Sequence, residues 1–377
     1  MNSNSNYHGY LMGFMLVALW VGVPAGFYAW VKLTRLGVSF HEEAGDKAFK
    51  DGDYQAALTG YARARQIAQS KRLDRKIARA RAELLAIRPD LLTQNLVPDV
   101  EYECKYVLRK KAPVSCEVVF GHIQALNGNS EGAKKTYEEV LSKDPENPGA
   151  HLGLALQYYR ASDFEHAQKE FQAVLSKIPD HIEALIGLGD ARLFSGESEK
   201  AQESYEKAIT ARGSDFRAHH GLGLALMRQN KLQEAVQEFQ RSISLNPQAF
   251  DSYIALATLF LQANMLPQAE QAYRQALNVR QDAQAMLGLA VVLNKQGRAA
   301  EALAILLPMV QAGSRDINVL LESASAYETL QRKEEARNFY EAGKQVLEDM
   351  KAQLDVATAK ALRERIEEGL KRLETTK

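Results

Sequence analysis

"HLGLALQYYRASDFEHAQKEFQAVLSKIPD", His151–Asp180, decides the fold once it is laid over the residues that follow it. Against "LIGLGDARLFSGESEKAQESYEKAITARGSD" (Leu185–Asp215), Gly153, Leu154, Ala167, Phe171 and Pro179 recur 34 residues later as Gly187, Leu188, Ala201, Tyr205 and Gly213. They recur again as Gly221, Leu222, Ala235, Phe239 and Pro247, and then as Ala255, Leu256, Ala269 and Tyr273. Residue size explains the pattern. Two helices approach closely only where side chains are small, as at Gly187 and Gly189 or Ala255 and Ala257 on a first helix and Ala201 or Ala269 on a second. A ring at Phe171, Tyr205, Phe239, Tyr273 or Tyr340 then fills the gap to the next unit. Pro145, Pro179 and Pro247 end second helices, because proline cannot continue one. No such unit buries its apolar face alone, so stacking must supply the core. The aromatic residues are therefore expected to be core.

Tandem units matching at several fixed offsets with a period of 34 resemble the tetratricopeptide repeat family. In that register the repeats are Val38–Lys71, Val114–Asn147, Pro148–His181, Ile182–Asp215, Phe216–Ala249, Phe250–Asp282, Ala283–Asp316 and Ile317–Met350. Residues 72–113 match poorly, although "PDVEYECKYVLRKK" (Pro98–Lys111) reads as the second helix of a degenerate unit. Leu362, Ile366, Leu370 and Leu373 are spaced as on a helix that covers the last apolar face. The resemblance implies an all-α fold, a right-handed α-solenoid of tandem helix hairpins, here preceded by one transmembrane helix. The expected division is a polar tail 1–9, a span 10–31, a juxtamembrane region 32–113 with the first repeat at 38–71, an array of seven repeats over 114–350, and a capping helix 351–377.

The span is expected from "YLMGFMLVALWVGVPAGFYAWV" (Tyr10–Val31), which carries no charge. As a helix of about 1.5 Å per residue it reaches across a hydrocarbon core of about 30 Å. "MNSNSNYHG" before it lacks the basic residues of a cleavable signal. Tyr7, Tyr10, Tyr28 and Trp30 suit the interfacial belts. Lys32, Arg35, Lys47 and Lys50 follow the run and no Lys or Arg precedes it, so the positive-inside rule predicts a cytoplasmic repeat domain, in a setting such as a bacterial inner membrane. The alternative is the same domain facing the periplasm. Ala18, Gly22 and Gly26, four apart, would let two spans approach as a homodimer.

The formal net charge of zero hides an asymmetry: residues 32–111 hold 17 basic and 11 acidic side chains. "RARQIAQSKRLDRKIARARA" (Arg63–Ala82) is the densest part, and the absence of Gly and Pro between Tyr61 and Arg88 predicts one long basic helix. Arg72, Lys76 and Arg79 beside its apolar stripe are the candidates for contact with anionic lipid. One basic stripe without interleaved aromatic residues does not point to nucleic acid.

No catalytic constellation is legible, and no cofactor or metal is expected. "GNSEGAKKT" (Gly128–Thr136) lacks the spacing of a phosphate loop and falls at a repeat turn. Cys104 and Cys116 lack C-x-x-C spacing; they are free thiols in a cytoplasmic domain, and a disulfide becomes possible outside one. The first repeat is similar to those of co-chaperones and import receptors that clamp a carboxylate, but Glu42 and Asp46 stand where the family has Lys and Asn. In this family the second, fifth, ninth and twelfth positions of each first helix line the concave face. Those positions imply a groove for a partner segment at Leu152, Leu156, Tyr159, Ile186, Leu193, Leu224, Met227, Ile254 and Leu261. The expectation is a scaffold rather than an enzyme, serving assembly of an envelope or secretion complex, with an organellar import receptor or co-chaperone-like protein as the alternative.

Overall fold

The computed structural model describes residues 23–109, 112–350 and 354–375. Among them the chain forms nineteen α-helices and no strand. It divides into two compact units, Met1–Ser195 and Gly196–Lys377. Most of the expected span, residues 10–22, lies outside the described residues. Among the described residues no helix is long and apolar enough to cross a membrane.

The first unit opens with α1 (Val23–Lys50), which pairs with α2 (Tyr54–Ile67). The expected start of a repeat at Val38 is not a helix boundary, since α1 runs through it without a break. The pairing is tight where both helices carry glycine: a Cβ on Gly60 would stand 2.9 Å from the Gly45 backbone, and one on Gly45 would stand 2.7 Å from the Tyr61 ring. The long basic helix expected between Tyr61 and Arg88 is in fact two. Ala68 turns extended (φ −148°) and ends α2. Ser70, also extended (φ −154°), then accepts a hydrogen bond from the Leu73 N–H at 3.2 Å and starts α3 (Lys71–Ile87). A serine N-cap breaks a helix without needing Gly or Pro.

After a 3-10 turn at Pro89–Leu91, α4 (Val97–Tyr102) continues into a π-helical stretch, Glu103–Leu108. Cys104 in that stretch is disulfide-bonded to Cys116 in the first turn of α5 (Val114–Leu126), and both are buried with Leu85, Leu92 and Val100. The bridge ties the degenerate hairpin to the regular one. The unit ends with α6 (Ser130–Lys143), α7 (Pro148–Arg160), α8 (Phe164–Lys177) and α9 (Ile182–Phe194). The second unit runs through α10 (Ser198–Ala211), α11 (Phe216–Arg228), α12 (Leu232–Leu245), α13 (Phe250–Gln262), α14 (Leu266–Val279), α15 (Ala283–Lys295), α16 (Ala299–Gln311), α17 (Ile317–Thr329), α18 (Lys333–Met350) and α19 (Val356–Thr375).

One joint holds successive hairpins together in both units. The ring on a second helix lies against a glycine on the next first helix: Tyr137 on Gly153 and Phe171 on Gly187 in the first unit, Tyr205 on Gly221, Tyr273 on Gly288 and, at the cap, Tyr340 on Gly369 in the second. None of these glycines has room for a Cβ. Each ring is thereby buried on removal of a methyl group's volume from its neighbour, and burial of one such side chain is worth about 1.5–3 kcal/mol.

Candidate partner-binding face

Within each unit the first helices of the hairpins share a face, and each unit fills its own unevenly. At the start of the first unit the face is closed by charge. On α1, Glu42 and Asp46 receive Lys76 from α3, at 2.7 and 2.6 Å, and Arg72 also reaches Glu42. The guanidinium of Arg79 stands 5.3 Å from the Phe49 ring centroid. Partial burial alone would raise the Asp46 carboxyl, but the bonds from Lys76 and the Tyr61 hydroxyl hold it below its usual range. The lipid-contact candidates thus point to α1: Arg72 and Lys76 are ion-paired there, and Arg79 lies over its phenyl ring.

Further along, the C-terminal end of α3 lies on the same face. The last carbonyls of a helix have no partner within it, and here two histidines supply one. His122 Nε2 on α5 donates to the Ala86 carbonyl at 3.0 Å, with the Tyr137 hydroxyl donating to Nδ1 at 2.7 Å. His181, the N-cap of α9, donates from Nε2 to the Ile87 carbonyl at 2.8 Å while its Nδ1 accepts from the Ala184 N–H at 3.2 Å. Arg88, next in the chain, reaches Glu183 at 3.1 Å. Gly149 on α7 faces the Ala86 carbonyl, which would stand 2.6 Å from a Cβ. Burial pushes the His122 imidazole down to about 4, so it is neutral here at neutral pH. This part of the face is occupied by the chain itself.

The residues expected to line the groove fall into two groups. Leu152, Ile186 and Leu193 are buried, 0%, 8% and 3% exposed, and belong to the packing between helices. The helical period places them on the correct side, but it carries no information on how far the neighbouring helices cover that side. Leu156 and Tyr159 in the first unit, and Leu224, Met227, Ile254 and Leu261 in the second, are half-buried, with Leu156, Tyr159, Ile254 and Leu261 packed in part against the cores of their units. Leu287 and Val291 on α15 continue the second unit's strip. Its far end is closed again, by Arg365 on Glu322 and by Arg372 on Glu328 at 2.7 Å, both arginines coming from α19.

Two features escape sequence reasoning. Tyr159 belongs to an aromatic group with Phe164 and Phe194, at centroid distances of 5.7 and 6.1 Å, the two phenylalanines stacking at 5.2 Å. Phe194 remains 56% exposed. Burial and then the Asp190 charge push the Tyr159 phenol up to about 12. The signal for the group was Phe194 one place beyond the twelfth position, but it becomes readable only when the hairpin brings Phe164 beside it. The histidine clasp on α3 had no sequence signal at all. His151 and His219 hold structural posts as well, 2.6 Å from Glu170 and 2.7 Å from Glu238. Among the described residues no group of three His, Cys, Asp or Glu side chains is placed to hold a metal ion.

Comparison with known proteins bears on the fold. The tetratricopeptide repeat family model matches residues 121–182, 186–250 and 254–317, together about half of the chain. Similar solved structures include PilF of Pseudomonas aeruginosa, 21% identical over 56% of this chain and 94% of that one, with a TM-score of 0.49. PilW, described as a type IV pilus biogenesis factor, is 19% identical over 52% of this chain and 91% of its own, with a TM-score of 0.49. MamA 41-end from Desulfovibrio magneticus RS-1 is 19% identical over 45% and 97%, with a TM-score of 0.41. No curated protein matches the chain.

Proposed function

The chain belongs to the tetratricopeptide repeat family, and on that premise we propose that it is a membrane-anchored scaffold binding a segment of a partner protein on the first-helix face, without chemistry of its own. The observation that carries this proposal is the half-buried apolar strip of the second unit, Leu224, Met227, Ile254, Leu261, Leu287 and Val291. A partly exposed apolar strip bounded at one end by the ion pairs of α19 marks an interface. Full burial of one such side chain yields about 1.5–3 kcal/mol, so a few anchors on an amphipathic helix exceed the cost of ordering it. Leu156 and Tyr159, with Phe164 and Phe194, offer a smaller aromatic footing in the first unit. Leu224→Asp combined with Ile254→Asp tests it. The variant should keep its helical circular dichroism and melting temperature and lose the partner that co-purifies with the unaltered chain; retention of that partner would end the proposal.

The anchor in this proposal is Tyr10–Val31, and alkaline carbonate extraction tests it, retention in the pellet being the expected result. Two observations bear on the side on which the repeats would stand. The basic flank after Val31 favours the cytoplasm. The buried Cys104–Cys116 bridge favours an oxidising compartment such as the periplasm, because cytosolic thiols are held reduced. We give the bridge more weight, since a flank of four charges is a bias and a core disulfide is a requirement of its surroundings. Thiol labelling of denatured protein before and after reduction distinguishes the two: label only after reduction supports the outer side, label before it the cytoplasm. Contact of Arg72, Lys76 and Arg79 with anionic lipid is not part of the proposed role, since Glu42 and Asp46 already pair with the first two. Those same pairs weigh against a carboxylate-clamping import receptor. Assembly of a bacterial envelope or secretion complex remains the setting on the family resemblance alone.

A further inference from the structure

The degenerate hairpin of the first unit is where the chain leaves the packing rule that the other hairpins obey, and such departures gather at functional positions. Val100, Cys104 and Leu108 are buried at intervals of four, and the bridge to Cys116 pins the middle one. Two residues along, Tyr102 and Tyr106 stand on the solvent side, 60% and 62% exposed, their ring centroids 5.4 Å apart. Neither hydroxyl has a hydrogen-bond partner among the described residues. The π-helical winding between them is rare and recurs at functional sites. The stretch ends on a second outlier. Arg109 holds φ 51° and ψ −130°, a backbone strained for any residue with a Cβ, and such strain clusters at binding and switch sites. Its Nε donates to the Tyr106 carbonyl at 3.0 Å, which leaves the two terminal nitrogens without a partner among the described residues. The exposed residues of Tyr102–Arg109 are thus two tyrosines and two cations, Lys105 and Arg109. Glu103, the one acid within the stretch, is turned to Arg81 at 2.8 Å, and Glu101 before it stands 3.6 Å from Lys105.

We propose that Tyr102, Tyr106 and Arg109 form a second interaction surface, separate from the first-helix face, and that its occupant is an acidic segment of a partner protein. Tyrosine and arginine are among the side chains that carry most of the binding energy at protein interfaces. The free fork of Arg109 matches a carboxylate through two parallel hydrogen bonds. The paired rings give the adjoining part of the segment an apolar footing edged by free hydroxyls. Lys110 and Lys111 follow in the sequence and keep the same sign of charge. The bridge and the buried stripe hold this surface in place before a partner arrives, so little ordering remains to offset on binding. Extended polyanions fit less well. Asp99 and Glu101 stand at the other end of the stretch, where a nucleic acid or an anionic bilayer would meet them too. A peptide sets its carboxylate on Arg109 and avoids both acids.

A phage library of random short peptides, selected on the oxidised full chain and depleted on a Tyr102→Ser, Tyr106→Ser variant, tests the surface. Both rings are exposed, so their replacement leaves the core untouched. The enriched peptides should be rich in Asp and Glu, and labelled copies should bind about tenfold more weakly to the double variant and to Arg109→Gly. The glycine change also relieves the backbone at φ 51°, so its melting temperature should match or exceed that of the unaltered chain while binding falls. Binding and melting temperature falling together would make Arg109 structural and overturn its role. Enriched peptides without carboxylates, no enrichment over the depleting variant, or full binding by Arg109→Gly would overturn the proposal. So would oligothymidylate or phosphatidylglycerol vesicles bound by the unaltered chain and lost in the same variants, which would assign the surface to nucleic acid or lipid. The Leu224→Asp, Ile254→Asp variant reads the first-helix face separately: it should bind the selected peptides unchanged, and loss there would place them on that face instead.

Discussion

At the scale of single residues, the hairpin turns show what the sequence leaves strained. The fifteenth residue of every repeat adopts a left-handed backbone, with φ between 55° and 82° at Gly52, Gly128, Ser162, Gly196, Asn230, Asn264, Gly297 and Gln331. Glycine takes that conformation freely and asparagine tolerates it, whereas Ser162 and Gln331 carry a Cβ penalty of about 1 kcal/mol. Ser162→Gly and Gln331→Gly are therefore expected to raise stability by about 0.5–1 kcal/mol each in urea melts, despite the added freedom of the unfolded chain. His122 makes the chain sensitive to acid. Its folded pKa of about 4 lies below its ordinary 6.5, so the unfolded chain binds the proton more readily between those values. Stability is full above pH 6.5 and falls as the pH drops toward 4, by about 3 kcal/mol at most. His151, raised by its bond to Glu170, works in the opposite sense, losing its contribution as the pH rises through its folded pKa. Comparing urea stability at pH 7 and pH 4.5 in the unaltered chain and in His122→Asn isolates the His122 share: the variant, weaker at pH 7, should lose less on acidification. An equal loss in both would refute the assignment.

At the scale of elements, the regular hairpins were legible because close packing dictates residue size. Gly187 and Phe171, or Gly221 and Tyr205, are two halves of one contact, and each half is visible in the sequence at its fixed offset. The degenerate hairpin was legible only in its second helix, read at Pro98–Lys111 and found as α4 with the π-helical stretch after it. α4 is short, runs into a π-helical stretch, and ends at Arg109 with φ 51°, so the repeat's fixed offsets do not carry through it. Its place is fixed by the Cys104–Cys116 bridge and by histidines that reach α3 from 36 and 94 residues away. Such contacts depend on the folded path of the chain and leave no local pattern. Closing a loop of this size lowers the entropy of the unfolded chain by an amount worth about 3 kcal/mol. Cys104→Ser with Cys116→Ser should lose about that much stability, with amide protection falling in α4 and the start of α5 before it falls in α7 and α8. Uniform loss of protection throughout the first unit would contradict a local staple.

At the scale of the molecule, each hairpin depends on its neighbour, so the end of the array requires a cover. In the second unit α19 supplies it: Ile366 and Leu373 are buried beside Tyr340 and Leu347, and Arg372 joins Glu328. Ending the chain at Met350 should expose Tyr340, lower the melting temperature and fray α17 and α18 first, as hydrogen exchange would record. Unchanged protection in those two helices would show that α19 is dispensable. The candidate site was half legible for a related reason. Position along a helix assigns Leu152 and Leu224 to the same face, but only the stacked neighbours bury the first and leave the second half-buried.

The most direct test of the binding face is a photoactivatable side chain placed in intact cells at Leu224 on α11, compared with Glu203 on the outer side of α10. A partner captured from Leu224 and displaced by the Ile254→Asp change, with nothing captured from Glu203, is the result predicted. Equal capture from both positions, or capture from Glu203 alone, would contradict a scaffold that works through its first-helix face.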